Sequence, residues 1–264
     1  MKSDRQLNQS LNRGLLVAEL LLIHQCLSLQ ELYVYSGFSK PALLRCLKTL
    51  IARNWVRKRD NDKRYIWIGM ATSAEINHSE MIAKKSLPII QQLSVNTGLA
   101  VDLALLSQRQ LLTVIDSINR KRIDGINTYV AGHIPSLLMS ALGRAFLYGC
   151  DRDRFQHYYS QVLKDGLLAE QNHVNSRRWK EEKARFALLG CSVRESDDYI
   201  PQTAYENSAS MALAVPLYRH GRAIGAINLL WNDPLISTAT VIARHLAELL
   251  STADKLSVLL SIDH

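Results

Sequence analysis

The chain has little cysteine and never pairs it. Its four cysteines, Cys26, Cys46, Cys150 and Cys191, lie far apart with no C-x-x-C spacing, which excludes a cysteine-rich zinc site and a redox dithiol. Two of them fall in leucine-rich stretches expected to be helical, so reduced core thiols in a cytoplasmic protein are expected. No apolar run approaches the length needed to span a membrane. LLVAELLLI is short and interrupted by Glu19, and the opening MKSDRQLNQSLNRG is too polar to resemble a signal peptide. The motifs that carry catalysis are missing too. There is no G-x-S-x-G, H-E-x-x-H, Walker A or G-x-G-x-x-G. Gly221 and Gly225 flank Arg-Ala-Ile, which reads as a hairpin strand and not as a phosphate cradle. The eight histidines scatter without metal-ligand spacing on any one element. An enzyme is the weaker hypothesis, and no cofactor or metal is expected.

What is present is an ordinary soluble composition with an uneven charge. Apolar residues make up 47% and charged residues 21% of 264, enough for one large domain or two ordinary ones. The net charge of +8 is concentrated at one end: residues 1–70 hold 12 Lys+Arg against 5 Asp+Glu, and the remainder holds 20 against 19. A basic segment joined to a near-neutral body points to a nucleic-acid-binding module carrying a second domain with another task. A basic membrane-surface helix would need an aromatic-rich apolar face, which these dispersed cations lack.

The stretch Ser28–Leu50, SLQELYVYSGFSKPALLRCLKTL, organises that basic end. Ser28 with Glu31 three residues on forms an S-x-x-E capping box for a first short helix, and Gly37 is placed to end it with a positive φ. Ser39 offers an N-cap oxygen to a second helix, and Pro41 in its first turn forfeits only a donor that would be unpaired anyway. Leu43, Leu47 and Leu50 form its buried face, while Lys40, Leu44, Arg45 and Lys48 look outward. Two such helices make a helix-turn-helix whose outward side enters a DNA major groove; an ordinary helical hairpin with solvated lysines is the alternative. Ahead of them, Asn8–Gln25 reads as a helix with Leu11, Leu15, Ala18 and Leu22 on its packing stripe. After them, Trp55-Val56 and Tyr65–Ile68 flank a polar turn at Asp60–Asp62. The resulting hairpin carries Arg57, Lys58, Arg59, Lys63 and Arg64, a wing whose cations would lie along phosphates.

SLNRGLLVAELL, LSLQELYVYSGFSKPALLRCLKTLIARNWV and RYIWIG resemble the N-terminal domain of the IclR family of bacterial transcriptional regulators. The residues that carry the resemblance are Ser10–Arg13, Gly37, Ser39-Lys40, Arg45, Leu47, Leu50 and Tyr65–Gly69. Two positions depart from the family's pattern: Ala42 replaces a common threonine and Leu44 a histidine or other polar residue. The resemblance implies an α+β chain with a winged helix-turn-helix domain over 1–70, a linker helix over 71–85, and an effector-binding and oligomerisation domain over 86–264. Its partners would be a double-stranded DNA operator, a small organic acid, and further copies of the chain in a dimer or tetramer. No membrane is implied. The DNA-binding residues would be Ser39, Lys40, Pro41, Leu44, Arg45, Lys48, Arg57, Lys58 and Arg64.

The residues beyond 70 read as an α+β domain. Ala71–Lys85 is helical in composition, and Pro88 suits the first turn of a separate helix over about Leu87–Asn96, ended by Gly98. AVDLALLSQRQLLTVIDSI gives two strands about a turn, with Asp102 read as lying on a solvated face. IPSLLMSALGRAFLYG is an apolar helix with small residues at Ser140, Ala141 and Gly143. Polar helical segments follow at Asp151–Lys164 and Val174–Leu189, where Arg177, Arg178, Lys180, Glu181 and Glu182 read as a solvated face. Three strands close on a turn at His220-Gly221, and a long amphipathic helix capped by Ser237 ends the stretch. Strands with helices at both ends predict an antiparallel sheet covered by helices, and the resemblance implies a GAF-like sheet.

The resemblance also implies an effector pocket, because the apolar helix is similar to the family's P-L-H-x-[ST]-A-x-G-[KR]-A stretch, with Leu138 in place of the histidine. By analogy Ala141 and Leu142 line it, Glu206 supplies the loop acid, Ala212 or Met211 stands for a cysteine, and Asn228 and Leu230 stand for two serines. Fewer hydroxyls favour a carboxylate with an apolar or aromatic body, and the INLLW end is similar to members that control aromatic-acid breakdown. Asn228 could equally serve only strand backbone. The chain is therefore expected to be an effector-responsive DNA-binding regulator; the alternative is a ligand-independent one with a degenerate pocket.

Overall fold

The computed structural model describes residues 8–24, 26–58, 63–67, 73–107, 110–118, 132–165, 168–195 and 210–262. The chain divides into two compact units, Met1–Asn77 and His78–His264.

The first unit holds α1 (Gln9–His24), β1 (Cys26–Leu27), α2 (Leu29–Ser36), α3 (Lys40–Ala52), β2 (Val56–Lys58) and β3 (Tyr65–Trp67). Ser28 caps α2 as the capping box predicts, accepting from the Glu31 amide while the Glu31 carboxylate accepts from the Ser28 amide. Gly37 ends α2 at φ 68°, a left-handed conformation that costs a residue with a Cβ. Val17, Ala18, Leu21, Leu27, Leu32, Leu43, Leu47, Leu50, Val56 and Tyr65 close the core. β3 pairs antiparallel with β2 and, on its other edge, with β1. This arrangement is a winged helix-turn-helix.

Three local expectations change here. Cys26 lies on a short strand, because pairing with Ile66 outweighs the helical bias of its leucine-rich surroundings. α1 turns a different stripe inward: Val17, Ala18 and Leu21 are buried, while Leu11, Leu15 and Leu22 remain 61%, 47% and 49% exposed. A helix this apolar offers two candidate faces, and packing against α2 and α3 selected the one with smaller and β-branched side chains. Ala42 is buried, so the small residue there fills the core and takes nothing from the outward face.

The second unit holds most of α4 (Ser73–Thr97), then β4 (Ala100–Leu106), β5 (Leu112–Ile118), α5 (Ala141–Gly149), α6 (Arg152–Asp165), α7 (Leu168–His173), α8 (Arg177–Leu189), β6 (Ser192–Arg194), β7 (Met211–Arg219), β8 (Arg222–Trp231) and α9 (Thr238–Ile262). The two helices expected either side of residue 86 are one, with Pro88 inside it. Proline removes one backbone bond, but Ile82, Ile90 and Leu93 anchor both halves in the same core and hold the helix continuous.

The strands form an antiparallel sheet in the order β5-β4-β8-β7-β6. His220 and Gly221, both at positive φ, make the tight turn between β7 and β8. One face carries Val101, Leu103, Leu213, Val215, Ile227 and Leu229 and packs with α4 and α9 residues such as Leu93, Leu249 and Leu256. By strand alternation the opposite face carries Ala104, Ala212, Ala214, Ala226, Asn228 and Leu230. α5 packs there, on β6, β7 and β8; its small residues allow this, since a Cβ on Gly149 would stand 2.8 Å from the Pro216 Cβ.

Candidate functional site

In the first unit the outward face of α3 is the candidate nucleic-acid interface. Its helical period buries Leu43, Leu47 and Leu50 and leaves Lys40, Pro41, Leu44, Arg45 and Lys48 exposed. Ser39 stands at the N-cap position, but its side chain makes no capping hydrogen bond. The wing places Lys58 and Lys63 in solvent, with the Lys58 ammonium 5.5 Å from the centre of the Tyr65 ring. Arg57 is half-buried on β2 opposite Ile66. Arg64 points elsewhere: its Nη2 donates to both carboxylate oxygens of Glu31, at 2.7 and 2.6 Å. Arg59 lies outside the described residues. Burial raises the Glu31 pKa, but the Ser28 amide and hydroxyl and the Arg64 guanidinium outweigh it, leaving the carboxyl below its ordinary value.

In the second unit the candidate effector site is the sheet face under α5. Ala141 and Leu142 form the first turn of α5, which begins where the Ser140 hydroxyl accepts from the Gly143 amide. Ala212 pairs with Leu230, and Asn228 with Ala214, so these residues share that face. Met211 falls on the opposite one, within the core beneath α9. Ala141, Leu142, Ala212, Asn228 and Leu230 are all buried. Glu206 lies outside the described residues.

Directly paired positions build a polar row across this face: Ser117, Asp102, Asn228, Ala214 and Ser192, one from each strand. Asp102 is buried and not solvated as expected, because it lies mid-sheet between β5 and β8. Its Oδ1 accepts from the Ser117 hydroxyl at 2.6 Å. Asn228 Oδ1 accepts from the Asp102 amide at 3.0 Å, so strand backbone takes up its acceptor, while its NH2 group donates to none of the described residues. The Ser192 hydroxyl is buried without a hydrogen-bond partner.

Beside this row lies a charge network that sequence reasoning missed. Arg144, on the apolar helix α5, is fully buried. Its Nη1 donates to the Leu138 and Met139 carbonyls, each at 3.0 Å, and Nη2 donates to the Val193 carbonyl. Its Nε lies 3.2 Å from Glu182 Oε2, and His173 Nε2 lies 3.3 Å from the same oxygen. Glu182 is therefore buried and not part of a solvated face; the available signal was a lone arginine inside A-L-G-R-A-F-L, which has to be paired. The thiols of Cys150 and Cys191 are pushed up to about 11 by burial and stay protonated at neutral pH, which argues against nucleophilic use. Among the described residues no group of acids, histidines and cysteines could hold a metal ion, and no helix is long and apolar enough to cross a membrane.

A winged helix-turn-helix unit and an α+β unit with a five-stranded antiparallel sheet together define a two-unit fold. Residues 74–167 match the family model described as bacterial transcriptional regulator IclR C-terminal. That match spans 94 of the 264 residues and likens this stretch to the C-terminal domain of IclR-family regulators, and the sheet domain has a GAF-like fold. Solved structures share the fold over nearly the full length. An IclR family transcriptional regulator from Brucella abortus is 19% identical, covering 97% of this chain and 94% of that one, with a TM-score of 0.59. The Thermotoga maritima IclR is 17% identical, covering 96% and 98%, with a TM-score of 0.56. An IclR homologue from Microbacterium hydrocarbonoxydans, complexed with 4-hydroxybenzoate, is 12% identical, covering 95% and 98%, with a TM-score of 0.54. A comparison with curated proteins gave no match.

Proposed function

We propose that this chain is a cytoplasmic, dimeric or tetrameric regulator that binds operator DNA through α3 and the wing, and that a small organic acid shifts that binding. The observation that carries the DNA reading is the division of α3, with leucines inward and Lys40, Arg45 and Lys48 outward beside Pro41 and Leu44. Lys40 and Lys48, with Arg57 and Lys58 of the wing, supply phosphate contacts, and Arg45 reads base edges. Ser39 is free of capping duty and can donate its hydroxyl to a phosphate at the helix start.

Self-association is supported by the exposed leucines of α1, an apolar stripe suited to a second copy of the same helix. A two-fold pair of readers would then meet two half-sites.

For the effector, the small residues Ala141, Ala212, Ala214 and Ala226 give the sheet face under α5 an apolar lining that suits an apolar or aromatic body. The Asn228 NH2 and the Ser192 hydroxyl supply donors for a carboxylate. The 4-hydroxybenzoate bound by a fold neighbour supports an aromatic acid. The ligand would act by linkage, preferring one arrangement of the effector domains and so altering the spacing of paired readers.

A ligand-independent regulator is the second reading, favoured by the complete burial of Ala141, Leu142, Ala212, Asn228 and Leu230. A thermal-shift screen of aromatic and aliphatic carboxylates, followed by operator binding with each hit, separates the two. A hit that changes DNA affinity supports the effector reading, and no hit across both classes supports the other.

A further inference from the structure

Arg64 belongs by sequence with the phosphate-binding cations of the wing, yet its guanidinium is already engaged. Nη2 donates to both oxygens of Glu31 within 2.7 Å, and the two side chains are only 18% and 34% exposed. The same carboxylate accepts from the Ser28 amide at 2.7 Å. One acidic group thus closes the first turn of α2 and holds the residue that leads into β3. β3 is the central strand of its sheet, so its entry point sets where the hairpin's cations stand. Turning Nη2 to a DNA phosphate would break a charge-assisted contact in a half-buried site and leave Glu31 facing the phosphate chain, a like-charge arrangement. Lys58 and Lys63 meet no such obstacle, since both are exposed.

We infer that Arg64 supports DNA binding without touching DNA. It is a positioning residue that clamps the wing to α2 through Glu31, while Lys58 and Lys63, with Arg57, make the wing's phosphate contacts. The inference rests on the DNA reading above, and its test keeps the two separable.

Full-length protein is titrated with a 30-base-pair duplex of mixed sequence, by fluorescence anisotropy from about 50 to 300 mM KCl. The wild type is compared with Lys63→Ala, Arg64→Ala, Arg64→Lys, Glu31→Gln and the Glu31→Gln/Arg64→Ala double variant. Hydrogen exchange of residues 55–67 is followed in the same proteins. Each lost phosphate contact lowers the slope of log affinity against log salt by about 0.9. Lys63→Ala is expected to do so. Arg64→Ala and Glu31→Gln should each weaken binding several-fold at unchanged slope and raise exchange in the wing. The double variant should be no worse than the weaker single one, and Arg64→Lys should recover part of the loss. A slope lowered by about 0.9 in Arg64→Ala, with Glu31→Gln binding as tightly as wild type or tighter, overturns the clamp and makes Arg64 a phosphate contact. A wild-type protein that binds no duplex at 50 mM KCl overturns the DNA reading and this inference with it. A variant that loses its helical circular dichroism makes the pair essential to the fold, which contradicts a role confined to the wing.

Discussion

Glu182→Leu removes one side of a buried charge pair and leaves the other in place. In the wild type the Arg144 guanidinium is fully buried and balanced by Glu182 at 3.2 Å and by the carbonyls of Leu138, Met139 and Val193. Those carbonyls satisfy its N–H groups but carry no net charge. Losing Glu182 therefore strands a cation in low dielectric, and breaking a buried pair from one side typically costs about 3–5 kcal/mol. For a unit of this size a loss of that order lowers the melting temperature by roughly 10 °C. Urea unfolding followed by tryptophan fluorescence reads the change, because Trp179 lies three residues from Glu182 and packs at a tilt against Tyr148 of α5, with ring centres 5.2 Å apart. The Arg144→Met/Glu182→Leu double variant should lose less than Glu182→Leu alone, since no charge is stranded, although three carbonyls lose donors. A Glu182→Leu protein within about 1 kcal/mol of wild type would refute the reasoning, because the arginine would then be compensated by some other route.

Further outcomes follow from single positions. Gly143→Ala should abolish cooperative unfolding of the second unit or cost more than an ordinary overpacked site, because its Cβ would stand 2.0 Å from the Ser136 carbonyl oxygen and 2.5 Å from the Leu137 Cα; a thermal melt checks this. Asn228→Leu should cost about 1–3 kcal/mol by removing the side-chain acceptor of the buried Asp102 amide, measured by the same melt. An unchanged melting temperature would free Asn228 of its backbone role. Leu15→Asp should lower the apparent mass in sedimentation velocity without loss of helicity, if the exposed stripe of α1 meets a second copy.

Much of the first unit was legible because its signals are local. The capping box at Ser28 and Glu31, Gly37, the Pro41 start of α3 and its leucine period all act within a few residues of themselves. The buried face of α1 was not legible, because both of its apolar stripes satisfy helical periodicity and only the partner helices choose between them. The contact of Arg64 with Glu31 was not legible for a related reason: its sign and place suit a phosphate, and the acid it meets lies 33 residues earlier in sequence. In the second unit the sheet and its turn could be read from alternation and His220-Gly221. The paths of Asp102 and Glu182 into the interior could not, since the first depends on strand order and the second on an arginine from a different helix. The apolar helix and its small residues were legible, but its seat on the sheet and the row from Ser117 to Ser192 emerged only once register was known.

The central claim is that α3 reads DNA with its exposed cationic face, and Arg45 tests it most directly. Operator sequences are first selected by the wild-type protein from a random duplex pool. Affinities for the selected duplex and for a mixed-sequence control are then compared in wild type and Arg45→Ala at about 150 mM salt. The account predicts a loss of about 1–3 kcal/mol on the selected duplex, roughly 10- to 100-fold, with a much smaller change on the control. Equal affinity of Arg45→Ala and wild type for the selected duplex would contradict it.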